Sequence, residues 1–237
     1  MAFKHGKKIS KIYTADGRRE IYDYRNAQLV SGKKTVDVVF IGDSITEYWE
    51  TSAYFGDLGF VLNRGIAGDV IYGVLNRFLE DVIQLKPRVC VLMIGVNDVD
   101  KIDEMANRMV ADVGDYERLL PYIETVFVEK MFASYKKILM KAKKKNLKTV
   151  VCSVTPHNHT LSVGSDYRNA YILGLNKRLK AFACELGFDY VDFNSKVQDE
   201  NGLFDLKYSW DRLHPNVDGY NLMAKILHPY LIKNLND

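Results

Sequence analysis

Apolar residues fall into two spacings along this chain. Five runs are short and nearly unbroken: Val36–Ile41, Phe60–Asn63, Arg88–Ile94, Lys148–Val154 and Phe188–Phe193. Runs of this length, rich in β-branched residues, suit strands covered on both faces. Between them apolar residues recur every three or four positions, the period of a helix with one buried face. Ile71, Val74, Leu75, Phe78, Leu79 and Val82 predict a helix from about Val70 to Leu85, with Asp69 as its N-cap and Pro87 beyond its end. Ile102, Met105, Ala106, Met109, Val110 and Val113 make a second such pattern, and a third helix is predicted over about Tyr122 to Lys145. A fourth covers about Asp166 to Leu186, with Tyr171, Leu175, Leu179, Phe182 and Leu186 inward and Gly187 closing it. The last starts at Pro215 and runs to about Lys233, burying Tyr220, Met223, Ala224, Leu227 and Leu231. Strands alternating with helices predict an α/β fold, a doubly wound parallel sheet in one domain. The order of strands in the sheet does not follow from the pattern.

Residues 1–35 stand apart. They are charged and tyrosine-rich, with Asp16-Gly17 and Ser31-Gly32 as turn signals, and read as an extension packing on the domain of residues 36–237, with a hairpin in it. No chemistry is evident in them. The net charge of +3 is close to balanced and excludes no class except those that need a strong field, so nucleic acid is not an expected partner. The basic run Lys141, Lys143, Lys144, Lys145 falls where a helix ends, a favourable place for cations. Cys90, Cys152 and Cys184 are odd in number, widely spaced and set in apolar runs, so they read as buried free thiols rather than disulfides or metal ligands. No stretch of about 20 apolar residues is present, and Met1 to Lys11 lacks the apolar core of a secretory leader. The expectation is a cytoplasmic protein without stable membrane insertion.

Candidate chemistry collects in four small polar clusters: Gly42-Asp43-Ser44, Gly65-Ile66-Ala67-Gly68-Asp69, Gly95-Val96-Asn97-Asp98 and Asp211-Arg212-Leu213-His214-Pro215. The first three follow predicted strands one, two and three. In a parallel sheet those ends share one rim, where open α/β sheets place their ligands. Ser44 alone could be no more than an N-cap after a glycine turn. With a base it becomes a nucleophile. His214 can be that base, and Asp211, three residues earlier, can hold its other ring nitrogen. Oxyanion donors would be the N–H groups of Ser44 and Gly68 and the side-chain amide of Asn97. Asp43 reads as a structural tie in its turn, and Asp69 and Asp98 as N-caps. His157 and His159 show no third ligand at metal spacing and are read as a loop near the crevice rim. His5 and His228 read as surface residues. Among the aromatics beside these clusters (Tyr48, Trp49, Tyr54, Tyr208, Trp210), some belong to the core and others could stack on a sugar or hold a short acyl chain.

The four clusters, in this order, resemble the blocks of the SGNH (GDSL) hydrolases: Gly-Asp-Ser, a glycine block, Gly-x-Asn-Asp and Asp-x-x-His. Ile45 stands where the four-letter name has leucine, a conservative packing change. The resemblance covers Val36 to the C-terminal helix, leaving out residues 1–35 and about Val99 to Pro121. It implies a three-layer α/β/α sandwich on a flavodoxin-like five-stranded parallel sheet. It also implies Ser44 as nucleophile, His214 as base, Asp211 as its partner, and Ser44, Gly68 and Asn97 as the oxyanion hole. No cofactor and no metal are implied. The Arg64-Gly65-Ile66-Ala67-Gly68-Asp69 turn is similar to the branch holding platelet-activating-factor acetylhydrolases and carbohydrate acetylesterases.

The reading that follows is a serine esterase releasing short, above all acetyl, groups through an acyl-enzyme, with O-acetylated carbohydrate as one substrate class. Its partner is a small-molecule ester, and a homo-oligomer stays open. A second reading is a lysophospholipase or acyl-thioesterase, with Val99–Pro121 as an apolar lid over a longer acyl groove. A third, of another class, is a non-catalytic flavodoxin-like binding protein. That one lacks a Gly-x-Gly-x-x-Gly or P-loop signature and has no use for Asp211 and His214.

Overall fold

The computed structural model describes residues 18–99, 121–158 and 165–237. Five strands form one parallel sheet: β1 (Val38–Gly42), β2 (Val61–Gly65), β3 (Val89–Met93), β4 (Lys148–Cys152) and β5 (Asp189–Val191). Their order is β2-β1-β3-β4-β5, the flavodoxin-like arrangement. β1 and β3 are buried along their whole length, as their unbroken apolar runs require. The register pairs Gly42 with both Gly65 and Met93, so the turns leaving β1, β2 and β3 sit side by side on one rim.

The helices are α1 (Arg18–Ser31), α2 (Ser44–Glu47), α3 (Thr51–Phe55), α4 (Ile71–Phe78), α5 (Val128–Lys144), α6 (Ser165–Leu186), α7 (Asn194–Val197) and α8 (Val217–Asn236). α4, α5 and α6 pack side by side on the sheet, while α8 lies across β3, β4 and β5 with α3 against it, completing the three layers. Tyr220, Met223, Ala224, Leu227 and Leu231 of α8 are all buried, as their spacing predicts. Lysines at the end of α5 reach backbone carbonyls: Lys141 Nζ donates to Leu75 O and Lys143 Nζ to Leu186 O.

Several expectations need correction. Where a hairpin was predicted in the N-terminal extension, residues 18–31 form the helix α1, which packs on the domain through buried Tyr22 and Asn26. Ser31-Gly32 is a turn, but it ends that helix: Gly32 N–H donates to Gln28 O. The Asp16-Gly17 signal, the Ile102–Val113 pattern, most of the Val99–Pro121 lid segment and His159 lie outside the described residues. β2 runs on to Gly65, so the glycine block begins inside the sheet. Leu79 is exposed at the start of a π turn, Leu79–Ile83, while Val82 beyond it is buried. Cys90 and Cys152 are buried thiols, but Cys184 is exposed, one step round α6 from buried Phe182 and Ala183. Among the described residues no helix is long and apolar enough to cross a membrane.

Candidate active site

Ser44 opens α2 directly beyond β1. The N-cap is not Ser44 but Asp43, whose side chain accepts the Ile45 N–H at 3.0 Å. Asp43 is almost fully buried, and burial pushes its carboxyl up to about 7 despite that hydrogen bond. α8 braces the same turn, with Tyr220 OH donating to Ile45 O at 2.9 Å.

His214 comes from the long segment between β5 and α8, where sequence order alone places it 170 residues from Ser44. Ser44 Oγ and His214 Nε2 lie 2.8 Å apart. On the far side of the ring, Nδ1 lies 2.5 Å from Asp211 Oδ2. The other oxygen of Asp211 accepts the N–H groups of Leu213 at 3.0 Å and His214 at 2.7 Å. Partial burial pushes the Asp211 carboxyl up, but these N–H groups and the His214 ring outweigh it and hold it below its ordinary value. An ionised carboxylate can only accept, so Nδ1 carries the ring proton and Nε2 is left to accept from Ser44. The loop is pinned from outside. Arg212 takes a left-handed φ of 78°, its carbonyl accepting from Asn158 N–H at 3.0 Å, and the His214 carbonyl accepts from Ser209 Oγ at 2.9 Å.

The glycine block forms a tight turn after β2. Asp69 N–H donates to Ile66 O at 3.1 Å, and Gly68 has a φ of 75°. A type II turn demands a positive φ at its third residue, which explains a glycine there. Asn97 is half-buried, and its Nδ2 donates to Asp69 O at 2.9 Å. An amide has two such hydrogens, so one remains for another acceptor. This bond ties Asn97 to the glycine turn, and Ile66 N–H donates to Gly42 O at 3.0 Å, joining that turn to the end of β1.

Asp69 is not the N-cap of α4, and the helix predicted after Asp98 lies outside the described residues. Val70 caps α4, and the Ile71 N–H is taken by Asp98 Oδ2, which reaches across from the turn after β3. Asp69 instead accepts from Arg77 Nε at 2.7 Å. Arg77, buried on α4, also donates to Gly42 O at 2.8 Å, Arg64 O at 2.6 Å and Asp81 Oδ2 at 3.0 Å. It thus joins the carboxyl ends of β1 and β2 to the glycine turn. Sequence reasoning missed Arg77 because a lone arginine on an amphipathic helix carries no motif.

Trp49 and Phe55 are core residues, packed on Phe40. Tyr48 and Trp210 are exposed, and their rings lie 5.3 and 5.8 Å from that of His214, Trp210 nearly parallel to it. His157 lies in the loop beyond β4 that bonds the Asp211–His214 segment through Asn158; its side chain is buried, with Nε2 3.0 Å from Arg168 Nη1. His228 lies partly exposed against Phe55 and Asp57.

A doubly wound sheet carrying a hydrogen-bonded serine, histidine and aspartate at its carboxyl rim defines a serine hydrolase. Residues 40–222 match the GDSL-like lipase/acylhydrolase family, and the chain belongs to that family. It is 26% identical to an acetylxylan esterase of Geobacillus stearothermophilus, over 82% of this chain and 92% of that protein. A GDSL-like lipase of Bacteroides thetaiotaomicron superposes with a TM-score of 0.69 at 27% identity, covering 89% of this chain and 97% of that one. The fold also matches an acetyl-xylooligosaccharide esterase of Geobacillus, TM-score 0.59 at 21% identity, covering 83% of this chain and 94% of that one. The protein is a serine ester hydrolase.

Proposed function

We propose that this esterase releases short acyl groups, above all acetyl, through an acyl-enzyme, with O-acetylated carbohydrate as its substrate class. The observation that carries the mechanism is the unbroken line from Ser44 Oγ to His214 Nε2 and from Nδ1 to Asp211 Oδ2. Ser44 Oγ attacks the ester carbonyl as Nε2 takes its proton. The tetrahedral oxyanion receives hydrogen bonds from the N–H groups of Ser44 and Gly68 and from Asn97 Nδ2. His214 then gives its proton to the leaving alcohol. A water, deprotonated by the same nitrogen, attacks the acyl-Ser44 carbonyl; the Oγ–acyl bond breaks, His214 returns the proton to Ser44 Oγ, and the acid is released. Asp211 holds the tautomer this cycle needs and offsets the imidazolium charge.

Two facts support the residue roles and the acyl group. The Geobacillus acetylxylan esterase has serine, aspartate and histidine substitutions that are described as catalytic mutants, and there too the aspartate precedes the histidine by three positions. In this chain Tyr48 and Trp210 present exposed rings beside the base, the kind of flat apolar surface on which a pyranose face stacks.

The test is hydrolysis of p-nitrophenyl esters from acetyl to palmitoyl by wild type and Ser44→Ala. A rate that peaks at acetyl or butyryl and falls at least about a thousandfold in the variant is expected. A peak at eight carbons or beyond would favour the lysophospholipase or thioesterase reading. Full activity in Ser44→Ala would remove the mechanism.

A further inference from the structure

Two contacts converge on the glycine turn from outside the four motifs. Glu47, at the end of α2, has a side chain only 3% exposed. Its Oε2 accepts the Ala67 N–H at 2.5 Å, and its Oε1 lies 2.5 Å from Arg18 Nη2 in α1. One turn along α1, Tyr22 OH donates to Gly65 O at 2.7 Å, while the Arg64 guanidinium lies over the Tyr22 ring. A further turn on, Asn26 Oδ1 accepts from Arg64 Nε and Nη2. The approach is close: a side chain at Gly65 would place its Cβ 2.2 Å from Glu47 N. α1 lies wholly before the residues that match the family.

We propose that α1 is a positioning element for the oxyanion turn, with Glu47 and Tyr22 as its two points of hold. This rests on the reading that the Gly68 N–H serves the oxyanion. The direction of that N–H is set by the Ala67–Gly68 peptide. Glycine at the third position of a turn tolerates either orientation of that peptide, since type I and type II turns differ by its rotation. The Asp69-to-Ile66 hydrogen bond is compatible with both. Anchoring the Gly65 carbonyl and the Ala67 N–H fixes the two peptides that lead into the turn, the frame from which the Ala67–Gly68 peptide is presented. Arg18 balances the Glu47 charge, so that a buried carboxylate can serve beside a site that must develop negative charge.

The test compares Glu47→Ala, Glu47→Gln and Tyr22→Phe with wild type and Ser44→Ala. It measures kcat and KM on p-nitrophenyl acetate, the inhibition constant of an aryl boronic acid (a tetrahedral, anionic mimic) and thermal stability. Loss of a whole oxyanion donor costs about a hundredfold or more in kcat, so its misplacement in Glu47→Ala is expected to cost roughly tenfold or more. Boronate affinity should fall by a like factor while KM moves less than about threefold. Glu47→Gln keeps an acceptor for Ala67 and should stay within about threefold of wild type; Tyr22→Phe, which removes one hydroxyl and little volume, should lose kcat and boronate affinity together. Wild-type kcat and boronate affinity in both Glu47→Ala and Tyr22→Phe, beside an inactive Ser44→Ala, would overturn this inference alone. So would a loss of kcat without a matching loss of boronate affinity, which would point to Ser44 itself. Turnover surviving in Ser44→Ala would instead overturn the proposed function.

Discussion

Replacing Asp211 by asparagine removes one charge and almost no volume, yet it should disable the base. The carboxylate now accepts three hydrogen bonds: Leu213 N–H and His214 N–H on Oδ1 and His214 Nδ1–H on Oδ2. An asparagine has one acceptor oxygen. If that oxygen stays on the two backbone N–H groups, the new NH2 faces Nδ1 and can only donate to it. The ring proton then moves to Nε2, which points at Ser44 and can no longer take its proton. If the amide flips, both backbone N–H groups face a donor, and each such lost bond costs about 1 kcal/mol or more. The first arrangement therefore prevails, and the loss of the correct tautomer should lower kcat about 10³- to 10⁴-fold, or roughly 4–5.5 kcal/mol of barrier. Steady-state hydrolysis of p-nitrophenyl acetate, with circular dichroism to confirm the fold, measures it. An Asp211→Asn enzyme that keeps a tenth of wild-type kcat would refute the assignment of Asp211 as the partner of His214.

Two further outcomes test the frame around the site. Arg77→Met should destabilise the protein by about 3–5 kcal/mol, because it leaves the buried Asp69 carboxylate without its cation and the Gly42 carbonyl without its donor. For a chain of this size that is a fall of roughly 6–20 °C in melting temperature, and a shift under about 2 °C would show the network to be dispensable. Asp43 has its carboxyl raised by burial to about 7, so the folded state holds a proton that the unfolded chain releases near 4. That contribution to stability is full below pH 4 and is lost as pH rises to 7, so Asp43→Asn should flatten this part of the stability curve and gain relative to wild type at pH 8. Urea midpoints at pH 5 and pH 8 check it; a pH dependence unchanged by the substitution would remove Asp43 as the titrating group.

What could be read from the chain was whatever depends on near neighbours. Strand runs and helical stripes are set by residues within a few positions of one another, and so is the Asp211–His214 spacing, which an Asx turn on Asp211 Oδ1 then locks. The glycine block after the second strand marked a turn, and Gly68 takes a positive φ there. The departures came where a distant partner decided the matter. Ile71 N–H is capped by Asp98 instead of the adjacent Asp69, because β2 and β3 flank β1 in parallel and bring their turns to one rim, and Arg77 claims Asp69. α1, with Arg18 and Tyr22 spaced as on any charged helix, shows its bearing on the glycine turn only through contacts with residues up to 43 positions away. Local pattern sets which residues can do chemistry. The parallel sheet, by laying separate turns along one rim, decides which of them meet.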